Sequence, residues 1–210
     1  MIQFILCLLL AVLTGGETME IKLPTPILKG KVSIEECLAK RRSIRAYKST
    51  PLTLEQISQL IWSLQGITDE KGLRSAPSAG ATYPLEIRIV KSDGVFHYIP
   101  EGHILVREKS EDLRSNLTQA ALGQSFIEEA PYNFIISAVY ERTAKRYGER
   151  TRRYIDMEVG HAAENLHLQA VAMGLGSVPV GAFDDNEVKK LLSLPQNEDP
   201  LYIITVGYQK

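Results

Sequence analysis

The stretch from Tyr154 to Met173 constrains the fold more than any other. It holds no proline, and its apolar residues are spread widely enough to place a long helix in the middle of a core rather than on its surface. A central helix needs other elements to cover it, and 210 residues suffice for that without disulfides or metals. Composition agrees, since 44% hydrophobic and 23% charged residues exclude a disordered, collagen-like or coiled-coil chain. The 24 Lys+Arg against 25 Asp+Glu give a net charge of −1, which argues against nucleic-acid binding by bulk positive charge. Cys7 and Cys37 form no C-x-x-C pair, so a disulfide framework and a structural zinc site are both disfavoured.

Residues 1–18 read as an apolar leader. Ile2 to Leu13 is interrupted only by Gln3, and as a helix it would reach about 18 Å, short of the ~30 Å hydrocarbon core of a bilayer. That length suits a signal peptide, and Thr14-Gly15-Gly16 supplies small residues for cleavage. No Lys or Arg precedes Lys22, however, and Met19 serves equally well as a start. The first reading makes the protein exported or membrane-associated; the second makes it cytoplasmic, with no membrane contact. The Asn116-Leu117-Thr118 sequon matters only under the first. One domain then runs from residue 23 to residue 208.

Within it, Ser33 opens a helix with Glu36 three residues on, and Thr53 opens another with Gln56. Leu54, Ile57, Leu60, Ile61 and Leu64 carry the second helix to Gly66. Leu85 to Val90 and Val95 to Ile99 pair as a hairpin across Ser92-Asp93-Gly94. A helix follows over Ser110 to Ala121, and Asn133 to Tyr140 forms a buried strand. After the long helix come a short strand over Ser177 to Val180, a helix over Asp184 to Leu192 and a last strand over Leu201 to Tyr208. Helices and strands mix without strict alternation, which predicts an α+β fold over a doubly wound sheet.

Five segments offer chemistry. Lys40-Arg41-Arg42-Ser43-Ile44-Arg45 ends the Ser33 helix, where cations complement the helix dipole or form a forked clamp for phosphate or carboxylate. Arg74 to Pro84 packs small residues between two prolines, a tight loop or a surface that lets backbone approach a flat ligand. Met173 to Asp184 holds Gly174 and Gly176, but they follow a helix rather than a strand, so a dinucleotide fingerprint fails. Arg142 to Arg153 is a basic run interleaved with Tyr147 and Tyr154. It reads first as a solvated face, with an oligomer contact or an anionic-substrate site as alternatives, and no nucleic-acid module accompanies it. Glu164-Asn165-Leu166-His167 is one half of a di-iron motif whose other half is missing, so it reads as polar residues satisfied within a buried helix rather than as a metal site. No nucleophile elbow, P-loop or zinc-protease motif appears, and that lack points to a cofactor.

Three of these segments fall in an order that resembles one family. Arg41-Arg42-Ser43-Ile44-Arg45, then Ala76-Pro77-Ser78-Ala79-Gly80, then Gly174 to Gly181 is similar to flavin-dependent nitroreductases. Leu64 to Thr68, Ala121-Leu122-Gly123-Gln124 and Gly160 to Leu166 resemble the SagB-type branch, which includes oxidases that turn peptide azolines into azoles. The resemblance spans roughly Leu23 to Tyr208. It implies a three-layer sandwich around a mixed sheet and a homodimer with FMN at the interface, exchanging electrons with NAD(P)H and a small-molecule or peptide substrate.

By motif match, Arg41, Arg42 and Ser43 hold the phosphate and ribityl chain, with Arg45 near the pyrimidine end. Pro77, Ser78, Ala79 and Gly80 lie along the ring, Val180, Gly181 and Ala182 meet its N5 edge, and Gln124 joins the cofactor set. Two departures stand out. Many nitroreductases carry Asn where this chain has Ala81, and many carry a basic pair beyond the last strand, where only Lys210 remains. The azole-forming oxidases bear Lys-Tyr where this chain has Arg146-Tyr147. An arginine is a poor general base, which leaves Tyr147 as the proton-transfer candidate and favours a general NAD(P)H-linked reductase. The alternatives are an azoline oxidase and a flavin-binding protein without turnover. Small residues Gly160, Ala162 and Ala163 mark the long helix as the expected dimer contact.

Overall fold

The structure, a computed structural model, describes residues 19–210. The leader reading falls outside the described residues. Among the described residues seven strands build one sheet: β1 (Glu20–Lys22), β2 (Leu85–Lys91), β3 (Gly94–Ile99), β4 (Ile104–Lys109), β5 (Tyr132–Val139), β6 (Gly176–Val180) and β7 (Glu198–Gly207). Their spatial order is β1-β4-β3-β2-β5-β7-β6. The helices are α1 (Ile34–Lys40), α2 (Leu54–Gln65), α3 (Arg114–Ala120), α4 (Phe126–Glu129), α5 (Tyr140–Tyr147), α6 (Thr151–Ala172) and α7 (Asp185–Leu192).

Alternation along the strands divides the core between two faces. Leu85, Ile87, Ile89, Phe134, Ile136 and Ile204 point to one side, where α2 and α6 bury them. Val90, Ile135 and Ile203 point to the other and meet α3, α4 and α7 through Leu117, Ile127 and Val188. Helices on both faces of a sheet give the expected three-layer α+β sandwich. The sheet itself differs from the expected mixed one, for every strand pairing is antiparallel. β5 and β6 run the same way, but β7 lies between them, so their parallel relation never becomes a pairing. Among the described residues, parallel geometry is confined to a single bridge between Ser43 and Ser177.

Local chemistry explains most boundaries. Thr53 and Gln56 cap each other reciprocally at α2. Ser33 accepts from the Glu36 amide at α1, while the Glu36 carboxylate turns to Lys40 instead of closing the box. Asp184 caps α7 through the Glu187 amide. α6 is the longest helix among the described residues, at 22 residues, and none is long and apolar enough to cross a membrane. Ala162 and Ala163 of α6 are buried in the chain's own core, which removes them from the expected dimer contact. Gly160 alone of the three faces open space, and Met157 is exposed one turn before it.

Candidate functional site

The residues singled out from the sequence gather into two groups. The first forms where α1 ends. Arg41 leaves helical geometry with its amide bonded to Cys37 O at 2.9 Å, and the chain continues extended beside β6. Ile44 N donates to Ser177 O at 3.0 Å, next to the Ser43–Ser177 bridge. This approach requires glycine at 176, because a Cβ there would sit 2.7 Å from the Ile44 side chain.

Side chains around this turn divide their roles. Arg41 Nη1 lies 3.3 Å from His167 Nε2 and Nε lies 3.8 Å from Glu164 Oε1, while Nη2 has no partner among the described residues. Arg42 folds back on the helix end, donating to Ala39 O at 3.1 Å and Arg41 O at 2.6 Å, as dipole complementation requires. Ser43 is exposed, and Arg45 stacks 5.6 Å over the Phe126 ring. Beyond β6, Gly181 and Ala182 are exposed, and Gln124 Nε2 holds their turn by donating to Ala182 O at 2.9 Å. Lys210 pairs with Glu129 at 3.2 Å, so it is committed to α4.

His167 is 2% exposed. Burial, reinforced by the Arg41 charge, pushes its pKa down to about 4. Arginine only donates, so the Arg41 contact needs a lone pair on Nε2 and a proton on Nδ1, which faces Ser177 Oγ. Glu164 and His167, the half-motif, thus both address a guanidinium, whose charge opposes a metal cation. Among the described residues no group of three or more His, Cys, Asp or Glu gathers as a metal site.

The second group surrounds Pro77 to Gly80. The loop turns through a single 3-10 turn, Ala79–Ala81, with Gly80 at φ 61°, Ala81 at 53° and Tyr83 at 44°. Positive φ at Ala81 and Tyr83 stores strain of about 1–3 kcal/mol each. Side chains hold it in place. Ser78 Oγ accepts from Tyr83 N at 2.9 Å, Thr82 and Thr143 hydroxyls meet at 2.8 Å, and Arg146 Nη1 donates to Gly80 O at 3.3 Å. Gly80 has no spare room, for a Cβ there would lie 2.7 Å from Tyr147 Oη. Tyr147 packs edge-on against Tyr154 at 4.9 Å between ring centres. The basic run is thus only partly a solvated face, since Arg142 pairs with Glu86 and donates to Tyr83 O at 3.0 Å.

Beneath the loop lies a carboxyl that sequence reasoning passed over. Glu158 of α6 is 2% exposed, and burial pushes its pKa up to about 7 against the opposing pull of the Ser78 hydroxyl, Arg74 and Gln65. Its Oε1 and the Gln65 Nε2 have no hydrogen-bond partner among the described residues. Its sequence signal is slight: Glu158 falls three residues after Ile155 and four before Ala162, on the buried stripe of the helix.

No hydrogen bond or ion pair among the described residues joins the two groups directly. They attach to α6 at Glu158 and His167, about 13 Å apart along the helix axis. The first group has the donor chemistry of a phosphate-binding turn: a guanidinium edge, a free hydroxyl and exposed main chain. The second has the thin wall a flat ring requires. The residues present therefore fit FMN, except that one monomer keeps the two walls separate and Arg42 serves the helix end.

Comparison with known proteins agrees with this architecture. Residues 38–208 match the nitroreductase family, and the chain belongs to it. A Methanocaldococcus jannaschii protein named as a nitroreductase is 48% identical over 198 residues, covering 91% of this chain and 98% of that one. The NAD(P)H-dependent FMN reductase of Bacillus subtilis is 27% identical over 187 residues, covering 81% of this chain, which spans 64% of that enzyme's length. A solved nitroreductase-family structure from Ralstonia eutropha superposes with a TM-score of 0.83 at 28% identity, covering 91% of this chain and 90% of that one.

Proposed function

We propose that this protein is an FMN-dependent oxidoreductase, active as a homodimer, that moves hydride or electrons between NAD(P)H and an organic substrate. The observation carrying this reading is the turn at Arg41 and Ser43, where a guanidinium nitrogen without a partner among the described residues and an exposed serine lie against Ser177 of β6. The name of the Bacillus relative supports both the flavin and the nicotinamide. Bound flavin supplies the hydride-accepting chemistry. The chain's own work is to grip the phosphate through Arg41 and Ser43, with Arg45 near the ring's pyrimidine end. It would present main-chain donors at Gly181 and Ala182, and wall the ring with Pro77 to Gly80.

A second copy answers the separation of the two groups by bringing its loop to the first chain's turn. Exposed Met157 and Gly160 on α6, with exposed Ile34 and Leu38 one turn apart on α1, offer an apolar seam for it. The SagB-type branch rests on motif order. Within that branch Arg146, engaged with Gly80 O, is a poor base, and Tyr147 Oη beside Gly80 is the proton-transfer candidate for azoline oxidation.

Purified protein should be yellow and should bleach with NAD(P)H under anaerobic conditions. A colourless preparation that cannot be reconstituted with FMN overturns the reading. A yellow one that neither reductant nor azoline peptide turns over makes it a flavin carrier. Arg41→Ala should weaken FMN binding roughly ten-fold or more with the fold intact, because charge-assisted hydrogen bonds are lost. Sedimentation tests the dimer: a monomer that keeps FMN at micromolar concentration removes the composite site.

A further inference from the structure

We propose that His167 is a positioning residue that sets both ends of the Arg41–Ser43 turn and so aims Arg41 at the cofactor phosphate. The inference rests on the reading that this turn binds phosphate, and it deepens that reading by naming what fixes the arginine. One ring nitrogen, Nε2, lies 3.3 Å from Arg41 Nη1; the other, Nδ1, meets Ser177 Oγ. Ser177 in turn holds the far end of the turn through its main chain, bridging Ser43 and accepting from Ile44 N at 3.0 Å. A single buried imidazole therefore spans from the α1 end to β6.

The arrangement is directional. A neutral imidazole with its proton on Nδ1 accepts from Arg41 and donates to Ser177, and no other tautomer satisfies both neighbours. Glu164 Oε1, 3.8 Å from Arg41 Nε, bounds the guanidinium on a second side. Two of its nitrogens thus face α6, and Nη2 is left without a partner among the described residues. A flexible arginine loses rotamer entropy whenever it binds an anion; one held in advance loses less. The other groups near this imidazole, Arg41 and Ser177, come from the α1 end and β6, so the node ties three elements together.

The test compares FMN with riboflavin, which differ by the phosphate alone. Affinities of both flavins are measured by fluorescence quenching for wild type, His167→Leu, His167→Gln and the double variant Arg41→Ala/His167→Leu. Wild type should prefer FMN. His167→Leu should reduce FMN affinity roughly ten-fold while riboflavin affinity stays the same. His167→Gln, which keeps an acceptor and a donor, should restore most of the preference. In the Arg41→Ala background, His167→Leu should change nothing, because the residue it positions is gone.

Equal loss for both flavins, or additive losses in the double variant, overturns the positioning role and leaves phosphate binding by Arg41 intact. A wild type that binds the two flavins equally removes the phosphate turn itself, and the proposal with it. If His167→Leu fails to fold, Ser177→Ala provides the same comparison by deleting the Nδ1 partner, and an unchanged preference in that variant counts against the proposal.

Discussion

The two halves of α6 bury opposite kinds of titratable group. Glu158 lies under the loop from Pro77 to Gly80, and His167 lies under the turn from Arg41 to Ser43. Both are 2% exposed, and burial drives both toward the neutral form, upward for the acid and downward for the base. Their surroundings differ. Around His167 both ring nitrogens are engaged and the backbone nearby is relaxed. Around Glu158 one carboxyl oxygen and the Gln65 amide have no partner among the described residues, and the loop above holds two non-glycine residues at positive φ. The His167 ring is held by contacts at both nitrogens, whereas the loop near Glu158 is held in a strained shape by its neighbours.

The contrast can be broken from the acid end first. Glu158 has a pKa of about 7 folded and an ordinary one unfolded, so its stabilisation is complete at low pH and is lost as pH rises from about 4.5 to 7. Relative to Glu158→Gln, wild type should lose about 3 kcal/mol between pH 4 and pH 8. Chemical denaturation across that range tests it, and parallel curves for the two proteins would show that Glu158 does not titrate as described.

His167 should behave in the opposite sense. Its folded pKa lies below its unfolded one, so its stabilisation is complete above about 6.5 and falls as pH drops toward 4. Against His167→Gln, wild type should lose about 2 kcal/mol between pH 7 and pH 5, read by the same denaturation series. A loss on the alkaline side instead would mean that the imidazole is charged in the folded protein, contradicting its bond to Arg41.

The smallest effect sharpens the comparison at the strained loop. Ala81 occupies a left-handed conformation that Asn adopts more readily, so Ala81→Asn should raise stability by about 0.5 kcal/mol. A lowered melting temperature would place the strain elsewhere in the loop.

Much of the framework was legible in the residues. The caps at Ser33, Thr53 and Asp184 mark three helix starts, and α6 begins three residues before the expected Tyr154. β1 was missed because it is a three-residue edge strand with mostly exposed side chains, and β4 because its charged end, Arg107-Glu108-Lys109, breaks the alternation that marks a strand. α5 was hidden by its charge, since a basic run carries no apolar stripe, yet Arg142 and Arg146 bind it to the loop through main-chain oxygens. The turn itself was visible in Arg41-Arg42-Ser43, but its support was not. His167 read as a polar residue satisfied within a buried helix, which it is, and Ser177 as an ordinary strand residue, but spacing along a sequence does not reveal which side chains meet across 126 positions. The Arg42 position followed the simpler of its two readings and capped the helix.

The length of α6 between Glu158 and His167 works as a ruler. A one-residue insertion there would turn one end by about 100° relative to the other and lengthen the gap by about 1.5 Å. Either Glu158 would swing away from Ser78, or His167 away from Arg41, and no loop along the way can absorb the offset. Lengthening or shortening of this chain by evolution or by engineering should therefore be tolerated in the hairpins at the sheet edge. Between these two residues it should not be, since there a single added residue changes which of two distant surfaces keeps its buried support.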